Sequence, residues 1–214
     1  MNKSPLWQKP DRQHPPGRKE GFFRFFRLLT RFLLWPFFRL EAHGVQNLPE
    51  DSAFILLVKH QRWEDIPLLG LATPRPLYYI AKTELFKNAI SNWFISALGG
   101  IPLNRQRPLE SRRFLQATIT FLQKGEGIVI FPEGTYYRDK MGPGQIGMVK
   151  FVLSRLALPL IPVGITYVPG GRRTGVRINF GKAYQAGPAL AADAVVDRMM
   201  AEIAQLSGLS NALV

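Results

Sequence analysis

Residues 53–73 read "AFILLVKHQRWEDIPLLGLAT", and the change of character within this stretch decides the fold. Ala53 to Lys59 form a short apolar run of strand length, and the residues from Trp63 onward read as the opening of a helix. A buried strand that gives way to a helix is the building unit of an α/β domain. The junction holds His60 and, five residues later, Asp65. Strand ends of this kind carry the active sites of α/β folds.

The same alternation continues outward. "LYYIAK" (77–82) reads as a strand, and "TELFKNAISNWFISALG" (83–99) as an amphipathic helix with Thr83 as its N-cap. "GGIPLNR" (99–105) is a short strand, and "LESRRFLQATITFLQKG" (109–125) a helix closed by Gly125. "GIVIFPEG" (127–134) is a strand ending in a loop, followed by a helical pattern over 145–157. Strands over 158–168 and 175–181 and a closing helix over 189–208 complete the chain. The pattern predicts one α/β domain over residues 41–214, with a mixed, mostly parallel sheet flanked by helices.

Composition supports a single globular domain. The chain has 214 residues, 46% hydrophobic and 20% charged, enough for one full core and short for two. It contains no cysteine, so disulfides and thiolate metal sites are excluded. The net charge of +13 points to an anionic partner: nucleic acid, an anionic membrane surface or an acidic carrier protein.

That charge is concentrated at the start. Residues 1–40 hold nine Lys or Arg against Asp11 and Glu20. Residues 1–20 read as a flexible basic tail, polar and rich in proline. Residues 21–40, "GFFRFFRLLTRFLLWPFFRL", place Arg24, Arg27, Arg31 and Arg39 within an arc of roughly 120° on a helical projection. Four arginines along the segment are costly for a transmembrane span, and a secretory signal carries its charges before its apolar stretch. An amphipathic helix lying in a membrane surface fits the pattern, and Pro36 is expected to end or bend it. The arginines beside aromatics fall on one stripe, and no recognisable nucleic-acid module follows, so no nucleic-acid partner is expected.

Four blocks carry candidate chemistry. His60 sits at a strand end, whereas His14 lies in the tail and His43 just past the amphipathic segment. Asp65 can reach back to the imidazole, fix its tautomer and support a positive charge; an incidental surface pair fits the same spacing. "FPEGT" sets Glu133, Gly134 and Thr135 directly after an apolar strand, where a plain turn also uses Pro and Gly. "GGIPLNR" ends at Arg105, a guanidinium fork suited to phosphate. "PLIPV" brings Pro162 to a further strand. Neither a nucleophile elbow nor a phosphate loop nor a zinc motif appears, so a lone base suggests direct attack by a substrate hydroxyl.

In this order, "KHQRWED", "GGIPLNR", "FPEGT" and "PLIPV" resemble the four motif blocks of the glycerolipid acyltransferases with a His-x4-Asp signature, nearest to bacterial 1-acyl-glycerol-3-phosphate acyltransferases. The resemblance covers about residues 40–185. It implies that His60 is the general base and Asp65 its support, and that the activated acceptor oxygen attacks a thioester of acyl-CoA or acyl-carrier protein. It further implies that Arg105, Glu133, Gly134 and Thr135 bind the phosphorylated lyso-lipid acceptor and that Pro162 lies near the acyl donor. No metal or prosthetic group is implied; the acyl donor enters as co-substrate. The expected location is peripheral or monotopic, on the cytoplasmic face of a membrane. The chain departs from the family pattern at Lys59, where Asn is frequent, and at Tyr136 and Tyr137, where Arg-Ser often follows "FPEGT". Acyl transfer to another lyso-lipid or to glycerol-3-phosphate, and a non-catalytic lipid-surface protein, are the alternative readings.

Overall fold

The computed structural model describes residues 17–104, 108–145, 147, 158–185 and 192–210. Its organising strand is β2 (Phe54–Val58), every residue of which is buried. Phe54, Leu56 and Val58 enter one apolar layer while Ile55 and Leu57 enter the other, the two-residue period of a strand. Apolar side chains on both faces mark a strand inside a parallel sheet. Accordingly β2 pairs in parallel with β5 (Gly127–Ile130) on one side and with β6 (Pro159–Val168) on the other.

The remaining strands are β1 (Phe38–His43), β3 (Leu77–Lys82), β4 (Gly100–Leu103), β7 (Thr174–Phe180) and β8 (Tyr184–Gln185). They form one sheet in the order β1-β7-β6-β2-β5-β3-β4, with β8 beside β6. Among the described residues, only the pairings of β6 with β7 and with β8 are antiparallel. The mixed, mostly parallel sheet expected from the sequence is therefore the observed one. One face is covered by α4 (Pro108–Gln123) and α5 (Ala192–Leu206), whose Phe114, Leu122, Met199 and Ile203 pack with Ile55, Leu57 and Ile128. The other face takes Leu68 and Leu69 of α2 (Asp65–Ala72). Gly164 lets α5 close on β6: a Cβ there would stand 2.3 Å from the Leu206 carbonyl carbon.

Pro162 lies inside a central strand, an unusual place for a residue without an N–H. Lys59 N–H donates to Val163 O (3.0 Å), so residue 163 turns its polar groups to β2 and Pro162 turns its own to the opposite side. There the neighbour changes from β8, which pairs with residues 159–160, to β7, which pairs with residues 163–168. The missing donor falls at that change of partner, and the Pro162 carbonyl is met by Gly181 N–H (2.8 Å).

The N-terminal helix, α1 (Glu20–Leu34), ends just before Pro36, as expected, so the last residues of the amphipathic segment 21–40 are not helical. Trp35 N–H still donates to Arg31 O (3.0 Å), and Pro36, with no N–H, cannot continue the ladder. Residues 38–40 then leave the helical path and begin β1, which pairs in parallel with β7 at the sheet edge. The stretch read as one helix over 83–99 divides into a 3-10 turn at Thr83–Phe86 and α3 (Ala89–Ala97). Its N-cap is Asn88, whose side chain accepts the Ser91 N–H at 2.8 Å, rather than Thr83. The helix expected over 145–157 lies outside the described residues except at Gln145 and Gly147.

Candidate active site

At the C-terminal end of β2 the chain leaves the sheet, and Asp65, the first residue of α2, folds back on His60. The Asp65 carboxylate is buried with four donors around it. Its Oδ2 meets His60 Nδ1 at 3.0 Å and accepts the backbone N–H groups of Gln61 (2.6 Å) and Arg62 (2.7 Å). Its Oδ1 accepts the Tyr167 hydroxyl at 2.6 Å. The five-residue spacing is thus a loop-to-helix turn in which backbone amides hold the carboxylate while the carboxylate holds the imidazole.

An imidazole nitrogen facing a carboxylate carries the ring proton, so neutral His60 keeps its lone pair on Nε2. The ring is clamped by aromatic neighbours. Phe131 stacks on it at 3.8 Å between centroids and 19° between planes, and Tyr136 leans against it at 4.4 Å. His60 is only 8% exposed, and what it exposes lines a cleft of ≈ 540 Å³. Among the described residues, no side-chain hydroxyl is hydrogen-bonded to Nε2. The arrangement can take a proton from a hydroxyl brought into the cleft.

Tyr167 stays protonated as donor to Asp65, because burial raises its pKa and the neighbouring carboxylate raises it further. The Arg62 guanidinium lies 4.2 Å from the centre of the Tyr167 ring. Gln61, also buried, ties the same turn to the core. Its Nε2 donates to Ile165 O (2.7 Å), and its Oε1 accepts the N–H of Asp139 (2.8 Å), a residue with left-handed backbone at φ 54°.

The "FPEGT" block divides between two environments. Gly134 and Thr135 line the cleft with His60. Glu133 faces away from it, into the protein. Its carboxylate takes both 2.8 Å contacts of Lys59 Nζ, the His60 N–H (3.0 Å) and the Gly142 N–H (2.7 Å), and neither side chain of the pair is exposed. Lys59 Nζ also reaches Tyr137 O (2.8 Å) and His60 O (3.3 Å). Burial lowers the Lys59 pKa, and the hydrogen-bonded Glu133 carboxylate works against that shift. This buried pair latches the loop after β5 to the turn that carries His60.

Pro162 is buried in β6 and is not part of the cleft wall. Arg105 lies outside the described residues; Leu103 and Asn104, which precede it, line the cleft. Two residues that sequence reasoning missed now enter. Lys82 ends β3 and puts an exposed cation on the cleft wall, a position its place at the end of "LYYIAK" could have indicated. Tyr167 reaches Asp65 from 102 residues away, and no local pattern announces such a contact.

A protein-family model described as Acyltransferase matches residues 39–166. A chloroplastic 1-acyl-sn-glycerol-3-phosphate acyltransferase of Brassica napus is 28% identical over 139 residues, covering 64% of this chain and 40% of the relative. A 1-acyl-sn-glycerol-3-phosphate acyltransferase of Bacillus subtilis is 34% identical over 124 residues, covering 58% of this chain and 60% of the relative. The chain therefore spans between 40% and 60% of the length of these curated relatives. Among solved structures, the 1-acyl-sn-glycerophosphate acyltransferase of Thermotoga maritima is similar with a TM-score of 0.61 and 26% identity. That match covers 86% of this chain and 78% of the other.

Proposed function

This chain belongs to the acyltransferase family, and we propose that it transfers a fatty acyl group from acyl-CoA or acyl-carrier protein to the free hydroxyl of 1-acyl-glycerol-3-phosphate, giving phosphatidic acid. The observation that carries the reading is the His60–Asp65 pair, with Nε2 left to a cleft that also holds the cation of Lys82. His60 Nε2 takes the proton of the acceptor hydroxyl as its oxygen attacks the thioester carbonyl. The tetrahedral intermediate collapses, the carbon–sulfur bond breaks, and the imidazolium returns its proton to the departing thiolate. Asp65 supports the transient positive charge, and Tyr167 and two backbone amides keep Asp65 in place.

Lys82, Gly134 and Thr135 form the part of the wall suited to the acceptor phosphate, with Arg105 as a further contact expected from its motif. Glu133 acts from behind that wall through Lys59.

The enzyme meets its lipid acceptor at a membrane surface. Exposed apolar side chains on α1 support this reading: Phe25 is 60%, Phe32 69% and Leu33 59% accessible. Trp93 and Ile90 of α3 continue the same surface, and Phe22 and Phe26 join the two helices through Trp93 and Phe94. No helix among the described residues is long and apolar enough to cross a membrane. Each fully inserted Phe or Leu would contribute about 1.5–3 kcal/mol.

The test is an assay of purified protein with both thioester donors against 1-acyl-glycerol-3-phosphate, glycerol-3-phosphate and amino-acid-based lyso-lipids, with products identified by mass. Phosphatidic acid as the leading product supports the proposal. Acylation of a different acceptor in preference to it would overturn the acceptor assignment.

A further inference from the structure

A second cleft, of ≈ 560 Å³, lies between α1, α2 and β1 and shares no lining residue with the reaction cleft. The two clefts use different faces of α2, Leu68 and Leu71 for this one and Ile66 for the other. Its wall carries five guanidinium groups: Arg24, Arg27 and Arg31 from α1, Arg39 from β1, and Arg173 from the turn before β7. Helical spacing on α1 brings the first three onto one side, and the arrest of the helix at Pro36 folds Arg39 back across from them.

Most of these charges are uncompensated. Among the described residues, the only carboxylate paired with any of the five is Glu41, 3.3 Å from Arg39. Arg27 donates to Thr73 O (2.6 Å) at the end of α2, and Arg173 donates to Trp35 O (3.2 Å). Arg24 and Arg31 have no side-chain partner among the described residues. Like charges gathered on one concave wall repel each other and focus a positive potential into it. A phosphate group relieves that repulsion, and guanidinium forks match its geometry.

The rest of the wall is apolar, including Leu28, Trp35, Phe38 and Leu71. Leu28 is also 56% exposed, next to the apolar outer surface of α1. A free anion would use the arginines and leave this wall bare, whereas an amphiphile uses both. We infer that the cleft is a binding site for one anionic phospholipid, held by its headgroup phosphate among Arg24, Arg31 and Arg39, with its chains leaving along Leu28. The site is separate from the reaction cleft, so it stands whether or not the proposed acceptor is right.

The experiment titrates the full chain with dihexanoyl phosphatidate below its micelle concentration and follows tryptophan fluorescence. Trp35 lines the cleft and lies 5.0 Å from Arg173, so the signal is taken as the part lost in Trp35→Phe. The expected result is a saturable Trp35-dependent change whose affinity falls at least about tenfold in Arg24→Gln/Arg31→Gln. Dihexanoyl phosphatidylcholine and inorganic phosphate should each require at least about tenfold higher concentration. Arg39→Gln, at an exposed side chain on the opposite wall, repeats the test independently. Turnover on a monomeric acceptor should be unchanged in these variants, which separates this site from the reaction cleft. The inference is overturned if the arginine variants keep the parent affinity, if phosphatidylcholine binds as tightly, or if inorganic phosphate alone does.

Discussion

Replacing Glu133 with Ala removes one partner of a fully buried ion pair and leaves the other in place. In the parent, the carboxylate takes two contacts from Lys59 Nζ and one each from His60 N–H and Gly142 N–H. In the variant the Lys59 ammonium keeps only the Tyr137 and His60 carbonyls, at 2.8 and 3.3 Å. Stranding a buried charge in this way costs about 3–5 kcal/mol, a large part of a typical domain's stability. For a chain of this size that lowers Tm by roughly 6–20 °C. Lys59→Met/Glu133→Leu removes both charges and should recover part of the loss. Full recovery is not expected, because the His60 and Gly142 amides stay unpaired.

The loss also has a pH signature. Burial already holds the Lys59 pKa below its free value of 10.5, and losing Glu133 lowers it further. Wherever the unfolded chain binds more protons than the folded one, stability rises with pH. That window is wider in the variant, so its deficit should narrow as pH rises from neutrality toward 10.5. Thermal unfolding of parent, single and double variants across pH, with acceptor KM measured alongside, tests the reasoning. A Glu133→Ala protein that keeps the parent Tm while its acceptor KM rises would refute the buried latch and make Glu133 a direct acceptor contact.

Three further outcomes are expected. Tyr167→Phe removes a hydrogen bond to a charged carboxylate, so kcat should fall about tenfold with acceptor KM little changed, read by steady-state kinetics. Lys82→Ala should raise KM for a phosphorylated acceptor while leaving an unphosphorylated one unaffected; an equal effect on both would remove Lys82 from the phosphate site. Phe25→Ser/Phe32→Ser should reduce vesicle flotation at high salt, where apolar insertion outlasts screened charge, and flotation equal to the parent would move the anchor elsewhere.

Much of the fold was legible because buried strands announce themselves locally. "FILLV" is apolar on both faces and became β2, and "GIVI" became β5 beside it. The His60–Asp65 contact was equally local, a turn closed by the amides of residues 61 and 62. Less legible was whatever depends on distant segments. Pro36 marked the end of the helix, but the Phe/Leu/Arg pattern continued past it, and only the pairing with β7 shows that the residues beyond are the edge strand β1. Glu133 stands in a motif beside residues that do line the cleft, and only its partner 74 positions away reveals that it points inward. Lys59, a departure from the family pattern, makes sense as that partner. The arginines of α1 were legible as one stripe of an amphipathic helix, but the cleft they share comes from the packing of α1 on α2, which no local pattern announces.

The measurement that bears most directly on the account is single-turnover acyl transfer by His60→Ala at saturating acceptor and donor. With its Nδ1 committed to Asp65, the imidazole offers Nε2 as the base, and no other histidine lines the reaction cleft among the described residues. The account predicts a rate at least about 100-fold below the parent, with the same Tm within a few degrees. Near-parental turnover in a folded His60→Ala protein would contradict it.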